Sequence, residues 1–190
     1  MNELINERFK EHLSVTSKTL IECQNQIIEV AKALTETLKS GKKILICGNG
    51  GSAADAQHFA AELVSSFSKD IKRRGLPAIA LTTDSSILTA FSNDFGFEGV
   101  FARQVNALGS DGDCLVALST SGNSENCLHA LEEAKSKKMK TISFLGQGGK
   151  MKNQSDYSIC IPSSNTQNIQ EMHIISYHII SELIENILFK

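Results

Sequence analysis

Five short apolar runs recur along the chain, at residues 43–47, 78–81, 114–118, 141–145 and 158–161. A strand with one face in water alternates apolar and polar residues, whereas an unbroken apolar run of about 4–8 residues suits a strand buried on both faces. Helical sequence follows the first run, from Ala53 to about Ser66, and the third, from near Glu125 to Lys138. This alternation predicts an α/β fold with a parallel sheet covered by helices on both sides.

The two ends carry longer helical patterns. Residues 1–40 contain neither glycine nor proline, and Leu20, Cys23, Ile27, Ile28, Ala31, Leu34 and Leu38 keep the three-and-four spacing of an amphipathic helix. Gly41 ends the pattern, so two helices, or one long kinked one, lead into the sheet. The last 24 residues, from Gln167, read as one helix with apolar positions nearly all round, among them Ile169, Met172, Ile175, Ile179, Leu183 and Ile187. Such a helix needs cover on more than one side, from the N-terminal helices or from another subunit. His178, Glu182 and Glu185 interrupt it, so it is not expected to span a membrane. No linker interrupts the chain, and a single domain over residues 1–190 is expected.

Composition narrows the function classes. With 19 basic and 21 acidic residues the net charge is −2, which does not favour nucleic acid as the main partner. The triplet Lys72-Arg73-Arg74 stands without an aromatic or further basic run and is expected to be a solvated loop. Five scattered cysteines, set mostly in apolar runs, read as small buried hydrophobes in a reducing compartment. The polar opening MNELINERFK does not resemble a signal peptide, so the expected location is cytoplasmic.

Two loops follow strand-like runs. The first, in ILICGNGGSAADAQHFAAEL, fits the loose pattern Gly48-x-Gly50-x-x-Ala53 of a dinucleotide site. That pattern also requires an acidic residue about 20 positions on; Asp84 is the candidate, at a poor spacing. The second loop, Ser119-Thr120-Ser121-Gly122-Asn123-Ser124, places four hydroxyls before a helix. One would serve as an N-cap, and four exceed what capping requires, which favours an anion site of hydroxyls and N–H groups. Neither loop contains a lysine, so neither is a P-loop; a sugar phosphate suits neutral donors.

Groups able to move protons stand close by. His58 and Glu62 lie four apart on the helix after the first loop and share one face, about 6 Å apart along the axis. A surface pair has the same spacing, but here the neighbours are alanine, phenylalanine and leucine. On the last helix Gln170 and His178 lie about 12 Å apart along the axis and about 80° apart around it, so spacing alone does not join them on one metal. His173 is expected to pack structurally.

CGNGGSAADAQHFAAEL, LPAIAL, SNDFGF, LVALSTSGNS and IQEMH, followed by His178, together resemble the sugar isomerase (SIS) domain family, and most closely its phosphoheptose isomerases, over essentially the whole chain. The resemblance implies a flavodoxin-like three-layer sandwich, with terminal helices packing in a homotetramer whose active sites lie at subunit interfaces. It implies interconversion of sedoheptulose 7-phosphate and D-glycero-D-manno-heptose 7-phosphate, the entry to heptose for surface polysaccharide. By motif, it implies one zinc ion per subunit on His58, Glu62, Gln170 and His178. Substrate contacts are implied for Asn49, Gly50, Gly51, Ser52, Glu62, Asn93, Asp94, Ser119, Thr120, Ser121, Ser124 and Gln170. An aldose–ketose isomerisation needs a base near C1–C2 and an acid for the oxygens, and the family gives these roles to Glu62 and His178. Where members often carry an acidic residue three positions before Gln170, this chain has Gln167. The rival expectation is a non-catalytic SIS protein that binds the replication initiator; that group tends to replace the residues equivalent to Glu62 and His178, which this chain keeps.

Overall fold

The computed structural model describes residues 1–190. Its elements run α1 (Asn2–Lys39), β1 (Ile44–Gly48), α2 (Gly51–Val64), β2 (Ala78–Ala80), α3 (Ser85–Phe95), α4 (Val100–Leu108), β3 (Cys114–Ser119), α5 (Glu125–Ser136), β4 (Lys140–Leu145), α6 (Lys150–Asn153), β5 (Tyr157–Cys160) and α7 (Thr166–Phe189). The five strands are parallel in the order β2-β1-β3-β4-β5, the flavodoxin-like arrangement. Successive side chains of a strand point to opposite faces, so each apolar run feeds two cores. Ile44, Ile46, Val116, Leu118, Ile142 and Phe144 pack under α1, α2 and α7. Leu45, Cys47, Leu115, Ala117 and Leu145 pack under α4 and α5. Both faces are covered, as the unbroken runs predict.

The N-terminal segment is one helix of 38 residues rather than two, and Gly41 follows it at φ +72°. It packs along α7, which also lies against α2. The stretch from 82 to 113, to which periodicity assigns no element, holds α3 and α4. In α3 no residue is buried, so no apolar stripe marks it. Asp84 accepts a hydrogen bond from Ile87 N at 3.0 Å and caps α3, which accounts for it without a ribose. No helix is long and apolar enough to cross a membrane.

Candidate functional site

The strand order reverses between β1 and β3, and at such a switch point the loops after the two strands diverge and leave a crevice. The β1 loop is shaped by its glycines. Gly50 has φ +57° and ψ −120°, a conformation other residues avoid. A Cβ on Gly51 would stand 2.5 Å from Nε2 of Gln170, so the missing side chain lets α7 lay this amide on the loop. Asn49 then joins the two loops: its Nδ2 donates to Oδ1 of Asn126 at 2.9 Å, and Nδ2 of Asn126 donates back at 2.8 Å. Asn126, in the first turn of α5 and buried, is a site residue that sequence reasoning missed; an asparagine near a helix start offers no signal of its own.

The β3 loop gathers its hydroxyls, with Ser119 Oγ and Ser121 Oγ accepting from the backbone N–H groups of Gly122 and Asn123. Ser124 sits at the N-cap of α5, yet its side chain makes no capping bond. Its Oγ instead lies 2.9 Å from Oγ of Ser119, which is 3.4 Å from Oγ of Ser121. The first-turn N–H groups of α5 are thus left without a side-chain cap, beside a cluster of hydroxyls, as an anion site requires. Thr120 and Ser121 also line a cavity of about 470 Å³ with Gln147, Gly148, Ser163 and Thr166.

Farther along α2, three groups converge. His58 Nε2 lies 3.1 Å from Oε1 of Glu62 and 3.3 Å from Nε2 of His178 on α7, and the three candidate ligand atoms all fall within 4.8 Å of one another. Two ligands of a tetrahedral zinc with bonds of about 2.0–2.1 Å stand roughly 3.3–3.4 Å apart, so this imidazole–imidazole–carboxylate set fits a divalent cation. Burial and the facing His58 hold the His178 pKa below its ordinary value against the pull of Glu62, which favours the neutral, ligating ring. Tyr177, adjacent on α7, places its hydroxyl 2.9 Å from Nδ1 of His58. Asp55, a turn before His58, is buried, and burial pushes its pKa up to about 6 against the opposing influence of His58.

The expected site residues therefore divide into groups. Asn49, Gly50, Gly51, Ser52 and Gln170 meet at the β1 loop, and Ser119, Thr120, Ser121 and Ser124 at the β3 loop. His58, Glu62 and His178 form the third group; Gln170 makes no hydrogen bond to it. Asn93 and Asp94 lie exposed on α3, where their side chains bond to each other, Nδ2 to Oδ1 at 2.8 Å. Gln167 is exposed near the start of α7 and lines a separate cavity of about 570 Å³ with Arg8, His12, Asn165, Asn168 and Glu171. His173 is fully buried and bonded through Nε2 to the Leu145 carbonyl at 3.1 Å; burial lowers its pKa to about 4, a packing role as expected.

One expectation fails. The 72–74 triplet is not simply a solvated loop, because the Arg73 side chain is 0 % exposed and pairs through Nε with Oε1 of Glu185 at 2.6 Å. Its guanidinium also donates to the carbonyls of Glu62 and Leu63, each at 2.8 Å, closing the C-terminal turn of α2. Lysine-arginine runs usually lie in water, but here α2 and α7 jointly supply the acceptors that make burial tolerable.

A parallel sheet with a glycine loop and a hydroxyl-rich loop at its switch point, and a carboxylate beside two imidazoles, is the arrangement of a SIS-type α/β protein. The SIS domain family matches residues 8–146. A phosphoheptose isomerase of Helicobacter pylori (strain P12) is 51% identical over 186 residues, 97% of this chain and 96% of that protein. The solved structure of a phosphoheptose isomerase from Francisella tularensis superposes with a TM-score of 0.93 at 40% identity, covering 97% of each chain. That from Neisseria gonorrhoeae gives 0.92 at 40% identity, covering 97% of this chain and 98% of the other. The chain belongs to the phosphoheptose isomerases of the SIS domain family.

Proposed function

We propose that the chain interconverts sedoheptulose 7-phosphate and D-glycero-D-manno-heptose 7-phosphate in the cytoplasm, feeding heptose to surface polysaccharide. The observation that carries this reading is the convergence of Glu62 and His178 on the α2–α7 seam, whose other end is the glycine loop. The phosphate is held by the Ser119, Thr120, Ser121 and Ser124 loop and the open N–H groups of α5, and the sugar hydroxyls by Asn49, Gly50, Gly51, Ser52 and Gln170. Asn93 and Asp94, exposed on α3, supply further substrate contacts. The Glu62 carboxylate takes a proton from C1, and the C–H electron pair becomes the C1–C2 double bond as the C2 oxygen gains a proton from His178. The enediol then collapses: the carboxyl proton returns to C2 while the O1 proton passes back to His178, leaving the aldehyde at C1. With Nε2 of His178 facing His58, Nδ1 is its ring nitrogen free for this exchange. The replication-initiator reading has no support among the relatives, which carry the isomerase name.

His58, Glu62 and His178, with Gln170 as the further candidate, would hold one zinc ion per subunit. Bound there, zinc would polarise the substrate carbonyl as a Lewis acid. The purified protein is expected to convert sedoheptulose 7-phosphate, to lose turnover on chelation and to regain it with added zinc. His178→Ala should lower turnover and zinc content together. Wild-type protein inert on this substrate overturns the function, and full zinc occupancy in His178→Ala removes that histidine from the ligand set.

The active unit is a homotetramer. Leu20, Ile28, Ile175 and Ile179 leave apolar surface along the groove between α1 and α7, whose cavity measures about 370 Å³, and Phe9 is 67% exposed farther along α1. Continuous apolar surface of this kind marks an association face. Sedimentation at micromolar concentration is expected to give a tetramer; a stable monomer refutes it.

A further inference from the structure

We propose that Tyr177 is a positioning residue, whose hydroxyl holds His58 by Nδ1 so that Nε2 points at the spot shared with Glu62 and His178. The proposal rests on the cation-binding reading of that cluster. The two nitrogens of an imidazole lie on opposite sides of the ring, so a partner fixed on one aims the other, and it also selects which nitrogen carries the proton. Here the partner is fixed firmly. Tyr177 is fully buried and its ring stacks on Phe59 at 5.2 Å between centroids, 18° from parallel. His58, by contrast, has a side chain 46% exposed, so packing alone does not hold its ring. The tyrosine ring also meets both histidines edge-on, His58 at 5.4 Å and His178 at 4.9 Å. One residue thus touches two of the three candidate ligands and stands outside the ligand set itself.

A hydroxyl suits this place better than a carboxylate or a carbonyl because it can act in both directions. Without a cation, Nε2–H of His58 donates to Glu62 at 3.1 Å, and the tyrosine O–H donates to Nδ1. When a cation takes Nε2, the proton must sit on Nδ1, and the tyrosine oxygen accepts it. The same pair of atoms, 2.9 Å apart, therefore supports both tautomers.

The test is a zinc titration of metal-free, full-length wild-type, Tyr177→Phe and His178→Ala proteins against a chelating dye, with nitrogen-15 NMR of the histidine rings in parallel. Tyr177→Phe removes one oxygen and keeps the ring against Phe59, so it is expected to fold and to bind zinc about 10–100-fold more weakly. In wild type, zinc should shift the His58 proton to Nδ1 and slow its exchange with water; in the variant that protection should be lost. Equal zinc affinity in wild type and Tyr177→Phe overturns the proposal and leaves the cation reading standing. No zinc uptake by wild type overturns the cation reading and the proposal with it. If Tyr177→Phe does not fold, the wild-type spectra decide: His58 protonated on Nε2 in the presence of bound zinc overturns the proposal, and a protected Nδ1 proton supports it.

Discussion

Glu62→Gln is expected to lower turnover of sedoheptulose 7-phosphate by about 10²–10⁴-fold, the range that a positioned general base supplies, while the protein stays folded. Both halves follow from where the residue stands. Its side chain is only 20% exposed, but the substitution changes neither its length nor its shape, so its packing is kept. Glutamine can still meet His58 Nε2 across the 3.1 Å gap, but it cannot take a proton from carbon. Weaker zinc binding would also reduce turnover, since a carboxylate is the better ligand, so the assay is run at saturating zinc. Loss of kcat under those conditions, with an unchanged melting curve, isolates proton transfer. A variant that keeps wild-type kcat would remove Glu62 from the base role.

What the sequence discloses follows from the range over which each interaction acts. Each strand was legible because burial on both faces writes an unbroken apolar run, and all five lie within a residue or two of the runs. The glycine loop and the serine loop were legible because backbone shape and helix starts are set locally. His58 and Glu62 were legible because helical spacing carries them to one face. The helix α3 was not, since none of its residues is buried and it leaves no periodic stripe. Asn126, Tyr177 and Arg73 act across 77, 119 and 112 positions of chain, respectively, on Asn49, His58 and Glu185. No pattern within a window can signal partners at that distance. Gln170 and His178, two turns apart on α7, meet different partners: Gln170 lies on the glycine loop, and His178 faces His58.

Glu185→Ala is expected to destabilise the fold by about 3–5 kcal/mol, because it strands a buried guanidinium. Glu185 accepts from Arg73 Nε and from the backbone N–H groups of Phe67 and Ser68, at 2.8 and 3.0 Å. Its side chain is 1% exposed and that of Arg73 0%, so water cannot replace the lost partner. For a chain of this length each kcal/mol moves the melting temperature by roughly 2–4 °C, a fall that calorimetry reads directly. Burial alone would raise the Glu185 pKa, but Arg73 and the two N–H groups hold it below its ordinary 4.5. The stabilisation is therefore present above pH 4.5 and disappears as acid brings the carboxylate through its folded-state pKa, so wild type and Glu185→Ala should converge in stability there. The double variant Arg73→Met/Glu185→Leu separates stability from positioning. An apolar pair of similar volume can replace a buried ion pair at little net cost, so much of the stability should return. Turnover should not return with it. The methionine cannot bond the carbonyls of Glu62 and Leu63, and Phe67, whose ring lies 5.8 Å from that of His178, loses the carboxylate that fixes its backbone. A double variant restored in both stability and kcat would reduce the buried pair to a fold determinant alone.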